Sequence, residues 1–197
     1  MKVSREKAAE NRERIIETAA RLFREKGFDG IGVAELMKHA GLTHGGFYGH
    51  FASKSDLAAQ ACARSLDHSA RKWSAIADAA GDAALAALIE NYLRFGRHDA
   101  PGAGCVMSTL GPEAARQEPP VREAITGGVR QLLAVLTAAM PAQAEETQRQ
   151  QALAAMAQLV GAVVLARLVD DEAFSDEILQ ASQADLNAPG RFDDQEQ

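Results

Sequence analysis

The chain has 197 residues and 21.0 kDa, with 47% hydrophobic residues, 24% charged residues and a formal net charge of −6. That apolar content suffices for a buried core and sets aside disorder as the starting assumption. The most apolar stretch, 152–166, is interrupted by Gln158 and falls short of the roughly 20 residues a spanning helix needs, and residues 1–17 hold no apolar run of a secretory signal. Cys62 and Cys105 are too few for a disulfide scaffold and sit in no zinc-binding spacing, so reduced thiols, a cytoplasmic location, no metal and no cofactor are expected. Forty alanines against 6 prolines and 5% aromatics favour an all-α fold.

Charge is unevenly placed. Through Lys72 there are 13 basic and 9 acidic residues, giving +4, whereas 8 against 18 beyond it give −10. All six lysines lie in the first stretch. Such asymmetry is what a chain shows when one part meets a polyanion, although a solvated basic face would look the same.

In chain order, residues 8–26 place Ile15, Ile16, Ala19, Leu22 and Phe23 at helical spacing, with Gly27 as the C-cap. A short second helix fits 33–40, burying Val33, Leu36, Met37 and Ala40 before Gly41 breaks it. Thr43 then stands where an N-cap belongs, opening a third helix over 44–50. That helix carries Gly45, Gly46 and Gly49, each costing about 1 kcal/mol relative to alanine, so packing through Phe47 and Phe51 must compensate. Three glycines beside His44, Tyr48 and His50 suit a helix whose backbone closely approaches another body. Ser53, with Asp56 three residues on, caps a fourth helix reaching about Ala77 through Leu57, Ala61, Leu66, Ala70 and Trp73. Beyond Gly81 helices are predicted at 82–98, 106–117, 120–139, 145–170 and 174–184, and the polar tail 187–197 is expected to be flexible.

Helix, glycine-containing turn, helix is the helix-turn-helix plan, whose second helix enters a DNA major groove about 12 Å wide. Small residues let such a helix approach, while hydroxyl and cationic groups grip phosphates. The run AELMKHAGLTHGGFYGHFASKSDL over 34–57 closely resembles the DNA-binding region of TetR-type regulators. It contains the helix end Ala-Gly-(Val/Leu)-(Ser/Thr) at 40–43, the (Leu/Phe)-Tyr-x-(His/Tyr)-Phe core at 47–51 and the Lys-x-x-Leu element at 54–57. The upstream Ile15, Ala19, Leu22, Phe23, Gly27 and Phe28 also match the family's first helix, so the resemblance covers about residues 8–60. It departs at Gly32, where many members place Ser or Thr, and at Gly49, where a polar contact is common.

The resemblance implies an N-terminal helix-turn-helix domain over 1–53 and a C-terminal ligand-binding and dimerisation domain over 54–186. Thr43 would cap the recognition helix and touch a phosphate. His44, Gly45 and Gly46 would face bases, Tyr48 and His50 would meet backbone or base methyls, and Lys54 would bind a phosphate. The implied partners are double-stranded operator DNA, a second copy of the chain and a small hydrophobic or reactive effector, with no membrane. Apolar residues on more than one face of the helix near 148–170 suit an effector pocket on one side and a partner subunit on the other, with Ala155, Gly161 and Ala162 small enough for close approach; a helix buried within the monomer is the alternative. Candidate effector contacts are Trp73, Tyr92, Phe95, Met107, Leu110, Met156 and Leu159, each also suited to plain core packing.

Cys105 follows Pro101-Gly-Ala-Gly and precedes a predicted helix, a position that favours thiolate. The run 104–116 resembles segments of one branch of these regulators, some of which sense oxidants or electrophiles through cysteine; a buried apolar role is the alternative. An enzyme is disfavoured because no GxGxxG, GxxxxGK or HExxH occurs and His39, His44 and His50 fall inside the DNA motif. The expected function is therefore a ligand-released, homodimeric transcriptional repressor, with a cysteine-based sensor and a DNA-binding protein without ligand response as alternatives.

Overall fold

A computed structural model describes residues 5–94, 102 and 104–192. Among these residues the chain is helical, with no strand. It divides into two compact units, Met1–His68 with Ala100–Gly128, and Ser69–Asp99 with Val129–Gln197. This division groups the segment around 104–128 with the N-terminal helices.

In the first unit α1 (Arg5–Lys26) buries Ile15, Ile16, Ala19, Leu22 and Phe23 on one face. Gly27 ends it with φ +79°, its N–H donating to Phe23 O at 2.8 Å. The turn that follows is tight. A Cβ on Gly30 would lie 1.9 Å from the Lys26 carbonyl oxygen, so only glycine lets the chain pass there. α2 (Val33–His39) buries Leu36 and Met37, with Ala40 at its C-cap, and the chain turns at Gly41, φ +69°.

The predicted third helix is a 3-10 helix, η1 (His44–Gly49), rather than an α-helix. Its short i to i+3 bonds include Gly46 N to Thr43 O at 3.0 Å and His50 N to Phe47 O at 2.9 Å. Thr43 occupies the N-cap position with extended backbone, but its side chain makes no cap hydrogen bond. In this tighter helix the Thr43 carbonyl, not its hydroxyl, meets the Gly46 N–H, which corrects the expectation of a hydroxyl cap. Phe47 and Phe51 are buried with ring centroids 5.6 Å apart, supplying the compensation that the glycines require.

α3 (Lys54–Ala80) starts with Ser53 Oγ accepting from Asp56 N at 3.0 Å, while Asp56 Oδ2 accepts from Ala52 N at 3.0 Å. The shorter aspartate thus reaches the N–H one residue before the cap. α3 and α6 (Pro119–Ala138) each begin in the first unit and end in the second, and α5 (Val106–Ala114) lies wholly in the first. Within that unit α3 and α6 cross closely: a Cβ on Gly128 would stand 2.4 Å from Leu66 Cβ.

The second unit is built on α4 (Ala84–Arg94), α7 (Glu145–Leu168) and α8 (Glu172–Leu186) with the later parts of α3 and α6. α7 buries Ala152, Ala155, Met156, Leu159, Ala162, Val163 and Ala166, and packs mainly on α8 and also on α4. By length and composition α7 is apolar enough to cross a membrane, yet its small residues form a packed face within this unit. Phe192 is buried, and its carbonyl accepts hydrogen bonds from Gln143 Nε2 and, at 3.3 Å, from Gln151 Nε2. The buried ring and these hydrogen bonds seat the chain at 192 against the second unit.

Candidate nucleic-acid interface

The seven residues expected to meet DNA lie on one stretch of the first unit. Thr43, His44, Gly45, Gly46 and Tyr48 are exposed, and His50 and Lys54 are half-buried. Tyr48 is 68% exposed although its neighbour Phe47 is fully buried. Edge contacts fix it there: the Tyr48 ring stands T-shaped to Phe47 at 5.2 Å and to His44 at 6.4 Å. The ring therefore stands outward over a buried aromatic base.

The glycines carry more information. None of Gly45, Gly46 or Gly49 has positive φ, so the backbone does not require glycine at these positions. A Cβ would meet nothing within 4 Å at Gly45 or Gly49, and only ordinary contacts at 3.8 Å at Gly46. Neither strain nor crowding within the chain explains residues that weaken a helix. Among the described residues, nothing in the chain itself calls for their smallness.

A polar network that the sequence did not reveal supports this face. Arg12 of α1 donates to Gln60 Oε1 of α3 and stacks over the Phe51 ring at 5.2 Å. Gln60 Nε2 donates to Asp56 Oδ1 at 2.7 Å, so α1, the Phe51 anchor and the cap of α3 are tied together. The i, i+4 pair Asp56–Gln60 was a readable signal, but its link to Arg12 was not. Between α1 and α2, Lys26 Nζ lies 2.6 Å from Glu35 Oε1, and this hydrogen bond, with the lysine charge and His39, holds the Glu35 carboxyl below its ordinary range.

Cys105 is half-buried at the N-cap of α5. Its carbonyl accepts from Thr109 N at 3.0 Å and Thr109 Oγ1 at 2.8 Å. Arg24 of α1 is close by, its Nε donating to Gly102 O at 2.8 Å and its NH1 to Ser65 Oγ at 2.7 Å. Burial pulls the Arg24 guanidinium below its ordinary range, and the negative charge available to Cys105 and Cys62 opposes that shift. Cys62 is different: burial pushes its thiol up to about 12 despite Arg24.

The candidate effector residues do not assemble into one described cavity. Trp73 and Tyr92 meet edge to face at 5.7 Å in the second unit, where Met156 and Leu159 are buried on α7. Leu110 is buried and Met107 half-buried on α5 in the first unit. Phe95 lies outside the described residues. An open groove of about 600 Å³ in the second unit is lined by 81–86, 138–141, 186–188, Gly190, Arg191 and Phe192, none of them in the candidate set. Among the described residues, no group of three His, Cys, Asp or Glu side chains is placed to hold a metal ion.

Comparison with known proteins gives a consistent result. Residues 15–61 match the model for bacterial regulatory proteins of the tetR family, and 81–182 match the tetracyclin repressor-like C-terminal domain. The chain is 45% identical over 53 residues to the HTH-type transcriptional regulator YerO of Bacillus subtilis, covering 27% of this chain and 18% of that one. It is 41% identical over 54 residues to the HTH-type transcriptional regulator AcrR of Shigella flexneri, covering 27% and 25%. The matched segment thus spans about a quarter or less of these two relatives. Among solved structures, the reduced form of Escherichia coli NemR aligns with a TM-score of 0.78 at 22% identity over 90% of this chain and 95% of that one. A TetR-family regulator from Agrobacterium tumefaciens aligns at 0.73 and 20% over 89% and 97%. With both a DNA-binding and a C-terminal family domain matched, the chain belongs to the TetR family of bacterial regulatory proteins.

Proposed function

We propose that this DNA-binding transcriptional regulator is a cytoplasmic, homodimeric repressor released from a palindromic operator by a small effector, and that it has no enzymatic activity. The observation that carries the DNA contact is the set of glycines at 45, 46 and 49, unneeded by the backbone and uncrowded by the chain. Dimerisation is supported by α7. Opposite its packed face, Leu153, Leu165 and Leu168 are exposed, Leu168 at 74%, and Phe174 of α8 is exposed too. A Cβ on Gly161, on the same helix, would meet open space, leaving room for close helix approach. Two such surfaces related by a twofold axis would present two recognition elements to successive major grooves. An effector is supported by the fold neighbour FadR of Bacillus subtilis, solved in complex with stearoyl-CoA and aligning at a TM-score of 0.64 with 17% identity.

A second reading, release by oxidants or electrophiles at Cys105, is favoured by the thiol's place at a helix N-terminus beside the Arg24 guanidinium. Both features stabilise thiolate.

Fluorescence anisotropy with duplexes tiled across the DNA flanking the gene tests the main reading. One duplex is expected to bind at least about 1,000-fold more tightly than random sequence, with affinity falling as salt rises. Uniform affinity for all duplexes would overturn it. Titration with acyl-CoA and with N-ethylmaleimide then separates a reversible effector from thiol chemistry.

A further inference from the structure

The corner between α1 and α2 is held by a residue from far along the chain. Glu113, in the last turn of α5, accepts a hydrogen bond at Oε2 from the Phe28 backbone N–H at 2.8 Å, across 85 positions of sequence. A Cβ on Gly27 would lie 2.6 and 2.7 Å from the two carboxylate oxygens. Gly27 therefore does two things: it supplies the positive φ that ends α1, and it leaves the space in which the carboxylate sits.

This placement is not what stability alone would select. The C-terminal end of a helix carries partial negative charge, so a carboxylate there meets an opposing field. The charge-assisted N–H bond works against that field, and because it spans two helices its geometry depends on where α5 sits relative to the end of α1. Glu113 also follows Gly111 and Pro112, and the proline ring removes a backbone donor from this short helix. At the other end of α5, Gly102 O is held by Arg24 of α1. The segment leading into and along α5 is thus fastened to the last turns of α1 at both ends. Phe28, whose N–H is held, packs its ring 5.4 Å from Phe23 in the core of the same unit.

We propose that Glu113 is a positioning residue for DNA recognition, setting the α1–α2 corner, and with it the presentation of His44–Gly49, according to the position of α5. The proposal rests on the DNA-binding reading and goes beyond it by naming the residue that links α5 to the recognition element.

The test uses the full-length chain as wild type, Glu113→Ala and Glu113→Gln. Three readouts are needed: hydrogen exchange of the peptide containing Phe28, thermal midpoint, and affinity for the best flanking duplex relative to a random one. Glu113→Ala is expected to speed exchange at Phe28 at least tenfold and to reduce the specific-to-random affinity ratio at least tenfold. Glu113→Gln keeps a carbonyl acceptor and is expected to recover most of both. A merely structural role would lower the thermal midpoint while leaving the affinity ratio of the folded protein unchanged, and that result overturns the proposal. So does unchanged exchange at Phe28. If Glu113→Ala does not fold, Glu113→Gln decides alone: it must retain slow exchange and discrimination together or lose them together, and a split result overturns the link. Wild-type protein that fails to discriminate among duplexes overturns the DNA reading itself, an outcome visible before any variant is compared.

Discussion

Replacing Gly45 with alanine, alone and with Gly46→Ala, pulls stability and DNA binding in opposite directions. A Cβ at Gly45 meets nothing within 4 Å, and at Gly46 it meets Met37 Cε and Thr43 Oγ1 at an ordinary 3.8 Å. Neither residue has positive φ, so alanine fits the native backbone. At compatible sites glycine to alanine stabilises by about 0.4–1 kcal/mol, chiefly by reducing the freedom of the unfolded chain. The double variant should gain about 1–2 kcal/mol on that scale. For a chain of this length each kcal/mol moves the thermal midpoint by about 2–4 °C, so a rise of about 2–8 °C is expected. If the surface approaches a DNA groove closely, the same methyl groups stand the helix off the bases. A loss of about 1.4 kcal/mol or more in operator binding, tenfold in Kd, is expected. Calorimetry and anisotropy on one protein preparation read both. A variant that is more stable and binds the flanking duplex as wild type does would refute the argument, because the glycines would then have no external reason.

Other outcomes follow from the same geometry. With iodoacetamide at pH 8, mass spectrometry of the native protein should show one adduct at Cys105 and none at Cys62, whose buried thiol, pushed up to about 12, holds almost no thiolate at that pH. An unmodified Cys105 would end the thiol-sensing reading. Leu165→Glu combined with Leu168→Glu places charge on the exposed face of α7 and should convert a dimer to a monomer by analytical ultracentrifugation, with helicity retained and tight operator binding lost. A variant that stays dimeric locates the interface elsewhere. Gly128→Ala drives a methyl to 2.4 Å from Leu66 Cβ, where rotation of the leucine gives no relief, and should destabilise by about 1–3 kcal/mol. An unchanged thermal midpoint would refute the tight α3–α6 crossing at Gly128.

Much of the recognition head was legible in local sequence because its determinants are short-range. The spacing of Ile15, Ala19, Leu22 and Phe23 follows directly from 3.6 residues per turn, and Gly27 and Gly41 terminate helices through φ values open chiefly to glycine. Ser53 and Asp56 cap α3 across three residues. The family motif at 34–57 was legible for the same reason: its exposed groups and its anchors alternate within one short run. Less was legible where two geometries share one pattern. Thr43 has the residue type of a hydroxyl cap, but i to i+3 bonding in η1 uses its carbonyl instead. Phe192 sits in a tail whose composition reads as disordered, and a single buried ring holds it.

Sequence by itself determined the helical class, most helix limits, the charge asymmetry and the family motif at 34–57, since propensity, periodicity and capping act between near neighbours. Only tertiary structure decided which distant groups meet: Arg12 with Gln60, Arg24 with Gly102 and Ser65, and Glu113 with Phe28. No local pattern encodes such pairs, because each depends on how whole helices pack, and packing depends on the summed shape of many side chains.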